Sequence, residues 1–574
     1  MRKSTHRCPL YYPVLWAALV LLGTMFLLAL PDPLFMVPYS PVLYDRQGDL
    51  LGAQIAPDGQ WRLPLATQVP TKFATALRIV EDRRFYVHPG VDPLALVRAA
   101  FLNMSQGRVV SGGSTLTMQT VRLFRGNRNR TLTEKLVEMV LAFRLECSYS
   151  KQEILALYSA HAPFGGNVVG LEAASWRWFG HPSRDLSWAE AATLAVLPNN
   201  PGLVHPGANR NLLQEKRDAL LKRLYELGVL DQETYYLALQ EPLPGPPNNL
   251  PRSAPHLLAR AAATAGAVRI TTTLDGNLQR RATAILERYV EQFSRNGVMN
   301  GACIMLDTRT SEVLAYVGNV FASEEPVRYG RSVDIISAPR SSGSLLKPFL
   351  YAAMLDSGDL LPTEIVSDIP TRIGSYNPEN FAKSYLGAIP ADQALARSLN
   401  IPAVRELRMY GVDRFARLLR QLGFSTLFRP GEEYGLPLIL GGAEVTLWDA
   451  AGVYAGLARR ALRNDSEAAF FSPQYKKTMT MDAGIGQSPL SRGAAWLTLE
   501  ALSMVNRPGE DGAWQLFSRS RKVAWKTGTS FGFRDAWSIG TTPEYTVGVW
   551  IGNASGEGRA ELQGSLTAAP VMWE

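Results

Sequence analysis

Cysteine is scarce in this chain: Cys8, Cys147 and Cys303 are the only three among 574 residues, too few for a disulfide framework, and they read as structural or incidental. Charge is sparse as well. Charged residues make up 19% of the chain against 46% hydrophobic ones, and no long charge-dense tract interrupts them, which excludes an extended disordered polymer. The formal net charge of +8 is modest for this length; it suits anionic lipid headgroups or phosphate-bearing substrates, yet no stretch resembles a nucleic-acid module. Internal repeats are missing too. Ample apolar side chain remains to be buried, and the length exceeds what one hydrophobic core serves, so two principal globular units are expected.

One apolar run breaks the globular pattern. Val14 to Leu30, "VLWAALVLLGTMFLLAL", carries no charge and follows Arg2, Lys3 and Arg7. At about 1.5 Å per residue the run reaches roughly 25 Å, and with Tyr11 and Tyr12 at the interface it just spans a bilayer, its basic flank toward the cytoplasm. A cleaved signal peptide is the alternative; against it, the run is longer than the usual apolar core of one, and "PDPLF" follows in place of a small-residue cleavage site. We expect residues 1–30 to be a cytoplasmic tail and transmembrane anchor, with the rest of the chain outside the cytoplasmic membrane.

Beyond it, "SPVLYDRQGDLLGAQIAPDGQWRLPL" reads as short strands around two turns, a small β-containing stalk over 31–66. Residues 67–240 change character. "SWAEAATLAVL" and "NLLQEKRDALLKRLYELGVL" carry apolar residues at helical spacing and strand-like runs are few, so this region is expected to be mainly helical. The proline-rich "EPLPGPPNNLPRSAP" opens a linker, placed at 241–265. From 266 to 574 helices and strands alternate, which predicts an α/β or α+β domain: "VRITTTLD" is a strand ending at an Asp275 N-cap, Leu278, Ile285, Leu286, Tyr289 and Phe293 form one helical face, and "ACIMLDTRTSEVLAYVG" holds two strands about a polar turn.

Within that second domain, "RSSGSLLKPFL" (residues 340–350) sets Ser344 and Lys347 one helical turn apart where the chain turns apolar. Pro348 places the helix start close to Ser344, in the positive field of its N-terminus, which favours an alkoxide. A lysine of ordinary pKa is a poor base at neutral pH, but apolar surroundings and neighbouring cations lower it enough to accept the serine proton. The same two residues also suit a capping serine with a snorkelling lysine. Two later elements weigh against that: Ser398-Leu399-Asn400, and Lys526-Thr527-Gly528 on a strand-like run. Together they resemble the Ser-x-x-Lys, Ser-Asp-Asn, Lys-Thr-Gly set of penicillin-binding proteins and class A β-lactamases, with Leu399 in place of the middle Asp. Ser398 can relay protons between the two lysines, and Asn400 can hold the substrate amide. Lys526, Thr527 and Thr529 can bind a peptide carboxylate, Gly528 allows close backbone approach, and the N–H groups of Ser344 and Thr529 are oxyanion-hole candidates.

Upstream lie "VEDRRFYVHPGVD", "SGGSTLTMQTVR" and "TLTEKLVEMVLAFRLE". Glu81 can take the proton of an attacking sugar hydroxyl, and Lys135 with Arg122, Arg128 or Arg130 can neutralise a departing pyrophosphate. Gly112 and Gly113 permit an unusual backbone, with Ser114, Thr115 and Gln119 as hydrogen-bond donors, and a helix puts Glu138 one turn from Lys135. These residues fit equally a helix-end charge, a turn and a solvated basic face. "EDRRFYVHPG" and "GGSTLTMQ" decide between the two, because they closely resemble the first two motifs of the peptidoglycan glycosyltransferase domain of bifunctional, class A penicillin-binding proteins.

The resemblance runs from about residue 35 to the end, and in "APFGGNVVGLEAASWRWFG", "LAVLPNNP" and "LGGAEVTLWDAAGVYAGLA" it is strongest to the 1C branch of that family. It implies a mainly α, lysozyme-like glycosyltransferase domain followed by an α/β serine transpeptidase domain of β-lactamase-like fold. It implies Glu81 as general base on the acceptor 4-hydroxyl, Glu138 as second acidic residue and Lys135 at the donor pyrophosphate. Lipid II, nascent glycan strands and stem peptides are the implied substrates, β-lactams the inhibitors, and a cell-wall synthesis complex the setting. No cofactor is required, with a divalent cation at the pyrophosphate site left open. Three departures stand out: Glu134 replaces the Arg that usually precedes Lys135, Tyr158-Ser159-Ala160 replaces Tyr-Leu-Asn, and the chain stops at "AAPVMWE", where members of the 1C branch usually continue into a further domain. The first two are expected to lower glycosyltransferase activity. Rival readings are a penicillin-binding sensor or scaffold with an impaired site, and a D,D-carboxypeptidase or β-lactamase; the latter leaves the upstream motifs unexplained.

Overall fold

The computed structural model describes residues 11–64, 68–106, 112–128, 131–198, 209–265, 268–321, 328–462, 469–477, 488–505, 507 and 521–574; Arg130 and the basic residues ahead of the apolar run lie outside them. Two compact units result, Met1–Val42 with Ala53–Pro251, and Leu43–Gly52 with Arg252–Glu574.

In the first unit the apolar run forms α1 (Tyr11–Leu27), 17 residues long, and among the described residues no helix is long and apolar enough to cross a membrane. The expected span to Leu30 is cut short for a local reason. Pro31 has no N–H to bond the Leu27 carbonyl and its ring disfavours a helix there. That carbonyl accepts from Arg144 Nη2 at 2.8 Å instead, and the Phe26 carbonyl accepts from Arg144 Nε at 3.0 Å.

The expected stalk does not stand alone. β1 (Val42–Tyr44) and β2 (Leu50–Ala53) join β5 (Arg269–Thr271) in a three-stranded sheet of the second unit, whereas β3 (Trp61–Arg62) pairs in parallel with β4 (Val168–Val169) of the first. Strands this short cannot bury enough side chain by themselves.

Helices make up the rest of the first unit: α2 (Thr71–Glu81), α3 (Pro93–Gln106), α4 (Leu116–Phe124), α5 (Leu132–Glu146), α6 (Lys151–His161), α7 (Leu171–Trp178), α8 (Trp188–Val196), α9 (Arg210–Glu226) and α10 (Gln232–Gln240). Their starts are written in the sequence. Thr115 and Thr131 cap α4 and α5, and reciprocal capping boxes, Ser150 with Glu153 and Ser187 with Glu190, open α6 and α8.

The expected linker ends early, because Pro255 opens α11 (Pro255–Ala265), whose Leu257, Leu258 and Ala261 are buried in the second unit's core. Proline is well tolerated at a helix start, so a proline-rich stretch need not stay irregular to its last residue. After β5, Asp275 caps α12 (Gly276–Ser294), its carboxylate accepting from the Asn277 and Leu278 N–H groups. β6 (Asn300–Asp307) and β7 (Val313–Val317) pair antiparallel, followed by the short β8 (Arg340–Ser341).

Then come α13 (Lys347–Ser357), the hairpin β9 (Ile365–Asp368) and β10 (Gly387–Pro390), α14 (Ala391–Ala396), α15 (Asn400–Tyr410), α16 (Val412–Leu422) and the short α17 (Gly431–Tyr434). β11 (Glu444–Val445) pairs with β8, and α18 (Leu447–Leu462), α19 (Arg492–Ser503), β12 (Ala524–Thr529), β13 (Asp535–Thr541), β14 (Tyr545–Gly552) and α20 (Ala569–Trp573) complete the unit. The central sheet runs β12-β13-β14-β6-β7, antiparallel throughout. Alternation places its side chains in two layers. Ala302, Ile304, Leu306, Trp537, Ile539 and Trp550 pack with α13 and α18 on one face, while Cys303, Ala536, Val549 and Ile551 pack with α12 and α20 on the other.

Candidate active sites

In the second unit Ser344 lies in the turn before α13 and not in its first helical turn, because the helix begins at Lys347 with Pro348 just inside it. Three bonds fix this turn: Ser342 N–H donates to the Ala443 carbonyl (3.0 Å), Trp537 Nε1 to that of Ser341 (2.8 Å) and the Tyr454 hydroxyl to that of Leu345 (2.8 Å). Gly343, at φ 52°, lies so close to β12 that a Cβ there would sit 2.7 Å from the Thr529 nitrogen; at Gly528 one would sit 2.9 Å from the Ser342 carbonyl oxygen. Two glycines thus let the serine turn meet the Lys-Thr-Gly strand backbone to backbone.

The two lysines converge on residues 398–400. Lys347 Nζ donates to the carbonyls of Ser398 (2.8 Å) and Leu399 (3.1 Å) and to Asn400 Oδ1 (2.7 Å), while Lys526 Nζ donates to Ser398 Oγ and the Thr527 carbonyl, both at 2.7 Å. Ser398 therefore bridges them, at a φ of 57° that a residue with a side chain rarely adopts. Among the described residues no hydrogen bond joins Lys347 to the Ser344 hydroxyl; all three acceptors of the amine belong to the facing segment.

Both amines are dry, Lys347 being 3% and Lys526 2% exposed. Burial first, then the Lys526 charge, holds Lys347 well below the usual lysine value, with Glu406 of α15 opposing. Burial alone brings Lys526 down to about 7. Glu406 is itself pushed up to about 7, by burial against the pull of Lys347. Asn400, expected to hold the substrate amide, is engaged at both ends, since its Nδ2 also donates to the Glu379 carbonyl at 2.8 Å. Thr529 Oγ1 accepts from Gly564 N–H at 3.0 Å.

In the first unit, α4 acts as a rail for two carboxylates. Gln119 Nε2 donates to Glu81 Oε2 (2.8 Å), and one turn further along, Arg122 grips Glu138 through Nε and Nη2, both at 2.7 Å. Glu81 ends α2 and Glu138 is buried on α5, so three helices meet here. Arg122 was expected at a pyrophosphate, but its fork is committed to Glu138, with a 3.3 Å bond to Ser114 Oγ. Thr115, expected to face substrate, is buried at the α4 N-cap, donating to the Gly90 carbonyl and accepting from Met118 N–H. Asp82, beside Glu81, receives His88 Nε2 and Leu116 N–H, which ties α2 to α4.

Glu134 does not stand as a lone anion, because Arg125 pairs with it through Nε and Nη2. Lys135 is half-buried and Arg128 exposed. The Tyr158 hydroxyl, 3.4 Å from Gln119 Oε1, is a partner the spacing of motifs could not reveal. Among the described residues no three His, Cys, Asp or Glu side chains converge as metal ligands, and both Glu138 oxygens face Arg122, so these residues do not themselves build a cation site. A cleft of about 830 Å³ lies elsewhere, lined by Thr71, Thr75, Arg78, Tyr86, Tyr149 and Ser150 among others.

A helical unit with two carboxylates held along α4, and a sheet unit in which Lys347 of α13 and Lys526 of β12 meet dry at Ser398, define a two-headed enzyme of glycosyl and acyl transfer. Comparison with known families agrees: residues 50–225 match a transglycosylase model and 301–571 the penicillin binding protein transpeptidase domain. The chain belongs to the bifunctional, class A penicillin-binding proteins. It is 37% identical over 544 residues to penicillin-binding protein 1C of Escherichia coli strain K12, covering 94% of this chain and 68% of that protein. Penicillin-binding protein 1B of Haemophilus influenzae is 28% identical over 555 residues, covering 92% and 70%. The crystal structure of penicillin-binding protein 1A from Haemophilus influenzae shares the fold, with a TM-score of 0.52 at 19% identity over 94% of this chain and 92% of that one.

Proposed function

We propose that the first unit polymerises lipid II and the second cross-links the stem peptides of the product. Glu81 takes the proton of the acceptor 4-hydroxyl as its oxygen displaces undecaprenyl pyrophosphate, inverting the donor anomeric carbon. Glu138, held by Arg122, is the second acidic group, and Lys135 meets the departing pyrophosphate. Ser114 and Gln119 shape the site. A divalent cation would draw its ligands from the substrate phosphates.

In the second unit Ser344 attacks the penultimate carbonyl of D-Ala-D-Ala and passes its proton to Lys347. The terminal D-Ala leaves, and an amine of a neighbouring strand opens the acyl-enzyme. Ser398 and Lys526 carry the proton to the leaving amine, and Thr527 and Thr529 receive the substrate carboxylate. A β-lactam acylates the same serine. The carrying observation is the dry lysine pair on Ser398, since an amine becomes a base at neutral pH only where burial disfavours its charge.

The same reading takes residues 67–240 and 255–574 as the two catalytic domains and α1 as a single-pass anchor in the cytoplasmic membrane, the catalytic units outside. Exposed apolar side chains support the membrane setting: Leu94, Val97, Phe101 and Met104 line one face of α3, and Leu132, Leu136, Val140 and Phe143 one of α5.

The test incubates detergent-solubilised protein with labelled lipid II, with and without penicillin. Glu81→Gln is expected to abolish polymer, and Ser344→Ala only cross-links and covalent penicillin. Polymer made by Glu81→Gln at the wild-type rate removes Glu81 as the base.

A further inference from the structure

The turn that receives both lysines carries a strained Ser398 and precedes a helix whose N-cap residue, Leu399, has no side-chain oxygen to satisfy the first helical N–H groups. The cap comes from elsewhere. Asn380 Oδ1, on the loop between β9 and β10, accepts from the N–H groups of Asn400 (2.9 Å) and Ile401 (3.2 Å). Asn380 Nδ2 donates in the other direction, to Asp368 Oδ1 (2.7 Å) and the Ser384 carbonyl (2.9 Å). Both donors and the acceptor of this amide are used, so its orientation is fixed. Asp368 is wholly buried at the end of β9, and its second oxygen accepts from Leu386 N–H at 2.9 Å.

The residue before Asn380 completes the grip, since the Glu379 carbonyl receives Asn400 Nδ2. That bond leaves Asn400 Oδ1 facing Lys347. A hydrogen-bonded chain thus runs from the buried Asp368 carboxylate through the Asn380 amide to the Asn400 backbone, and from the Asn400 side chain to Lys347. We infer that Asp368 and Asn380 are positioning residues for acylation: they cap α15 from outside and hold the 398–400 turn in the strained shape that orients Lys347 and Ser398. Neither touches the reacting serine. The inference rests on the serine acyl-enzyme reading above.

The test measures acylation of the full chain by a fluorescent penicillin, separating the rate constant of acylation from the dissociation constant of the first complex. The isosteric variants Asn380→Asp and Asp368→Asn each break the donor–acceptor match, and the double exchange restores it, apart from the contact with the Ser384 carbonyl. Each single change is expected to lower the melting temperature and, measured well below it, to slow acylation about 10- to 100-fold with the dissociation constant little altered, and the double variant to return within about 5-fold of wild type and recover the lost stability. Glycan polymer made from lipid II reports that the rest of the chain is intact. Singles that acylate at the wild-type rate, or a double variant as slow as the singles, overturn the inference. If wild type and Ser344→Ala both stay unlabelled, the acyl-enzyme reading itself fails, a different result.

Discussion

The two sites solve one problem, a base ready at neutral pH, with opposite environments. In the first unit the proposed base, Glu81, is a carboxylate, which can remain half-buried beside an amide donor, and Glu138 is buried only with a guanidinium closed over it. In the second the proposed base, Lys347, is an amine, which is charged unless water is removed, and both lysines are almost wholly inside. A carboxylate needs partners to keep its charge in the interior; an amine needs burial to lose it. The charge type of the base decides how its domain must be built.

The largest effect is expected where this contrast is most direct. Lys347→Met should slow penicillin acylation by about 10²- to 10⁴-fold, the usual contribution of a general base, with lipid II polymerisation unchanged. Next, Arg122→Met leaves Glu138 buried without its partner, and should destabilise the first unit by about 3–5 kcal/mol in thermal unfolding, with the second unit's transition unmoved. Equal loss in both transitions breaks the comparison.

Stability against pH should then run differently in the two units. His161 of the first stacks on Phe35 and meets the Tyr39 hydroxyl at 3.0 Å, and burial lowers it from 6.5 to about 4. The neutral ring is favoured by the fold, so the stability it contributes is whole above pH 6.5 and lost as pH falls toward 4, up to about 3 kcal/mol. Absence of that loss in His161→Gln identifies it. Lys526 of the second unit, ordinarily 10.5, titrates near 7, so protonation favours the unfolded chain across that window and the unit should gain stability as pH rises from 7 to 10. Lys526→Met should flatten that rise. The smallest effect is expected from Glu134→Gln, under about 3-fold on polymer yield, because Arg125 already neutralises this anion.

Much of this was legible in the chain itself. The helix cap at Asp275, the two strands β6 and β7 about a polar turn, and the order of the three transpeptidase elements follow from local chemistry and spacing, whereas the Thr115 cap was not foreseen. The helix start was misplaced by three residues, since Pro348 tells of a first turn but not of the turn that Trp537 and Tyr454 hold ahead of it. The stalk was misjudged because strand pairing is a choice among distant partners. Asn380 was invisible: nothing in a polar loop marks one amide as the cap of a helix 20 positions on.

What the sequence settled alone is which chemical groups the chain owns and the local elements that carry them, because caps, turns and periodicity act over a few residues. Tertiary structure decided which of those groups meet. Arg122 closes on Glu138, Lys347 reaches residues 398–400, and two glycines bring a turn against a strand, all contacts between segments that only packing brings together. The lysines belong to both accounts: spacing nominated them, but only a buried interior takes away their charge.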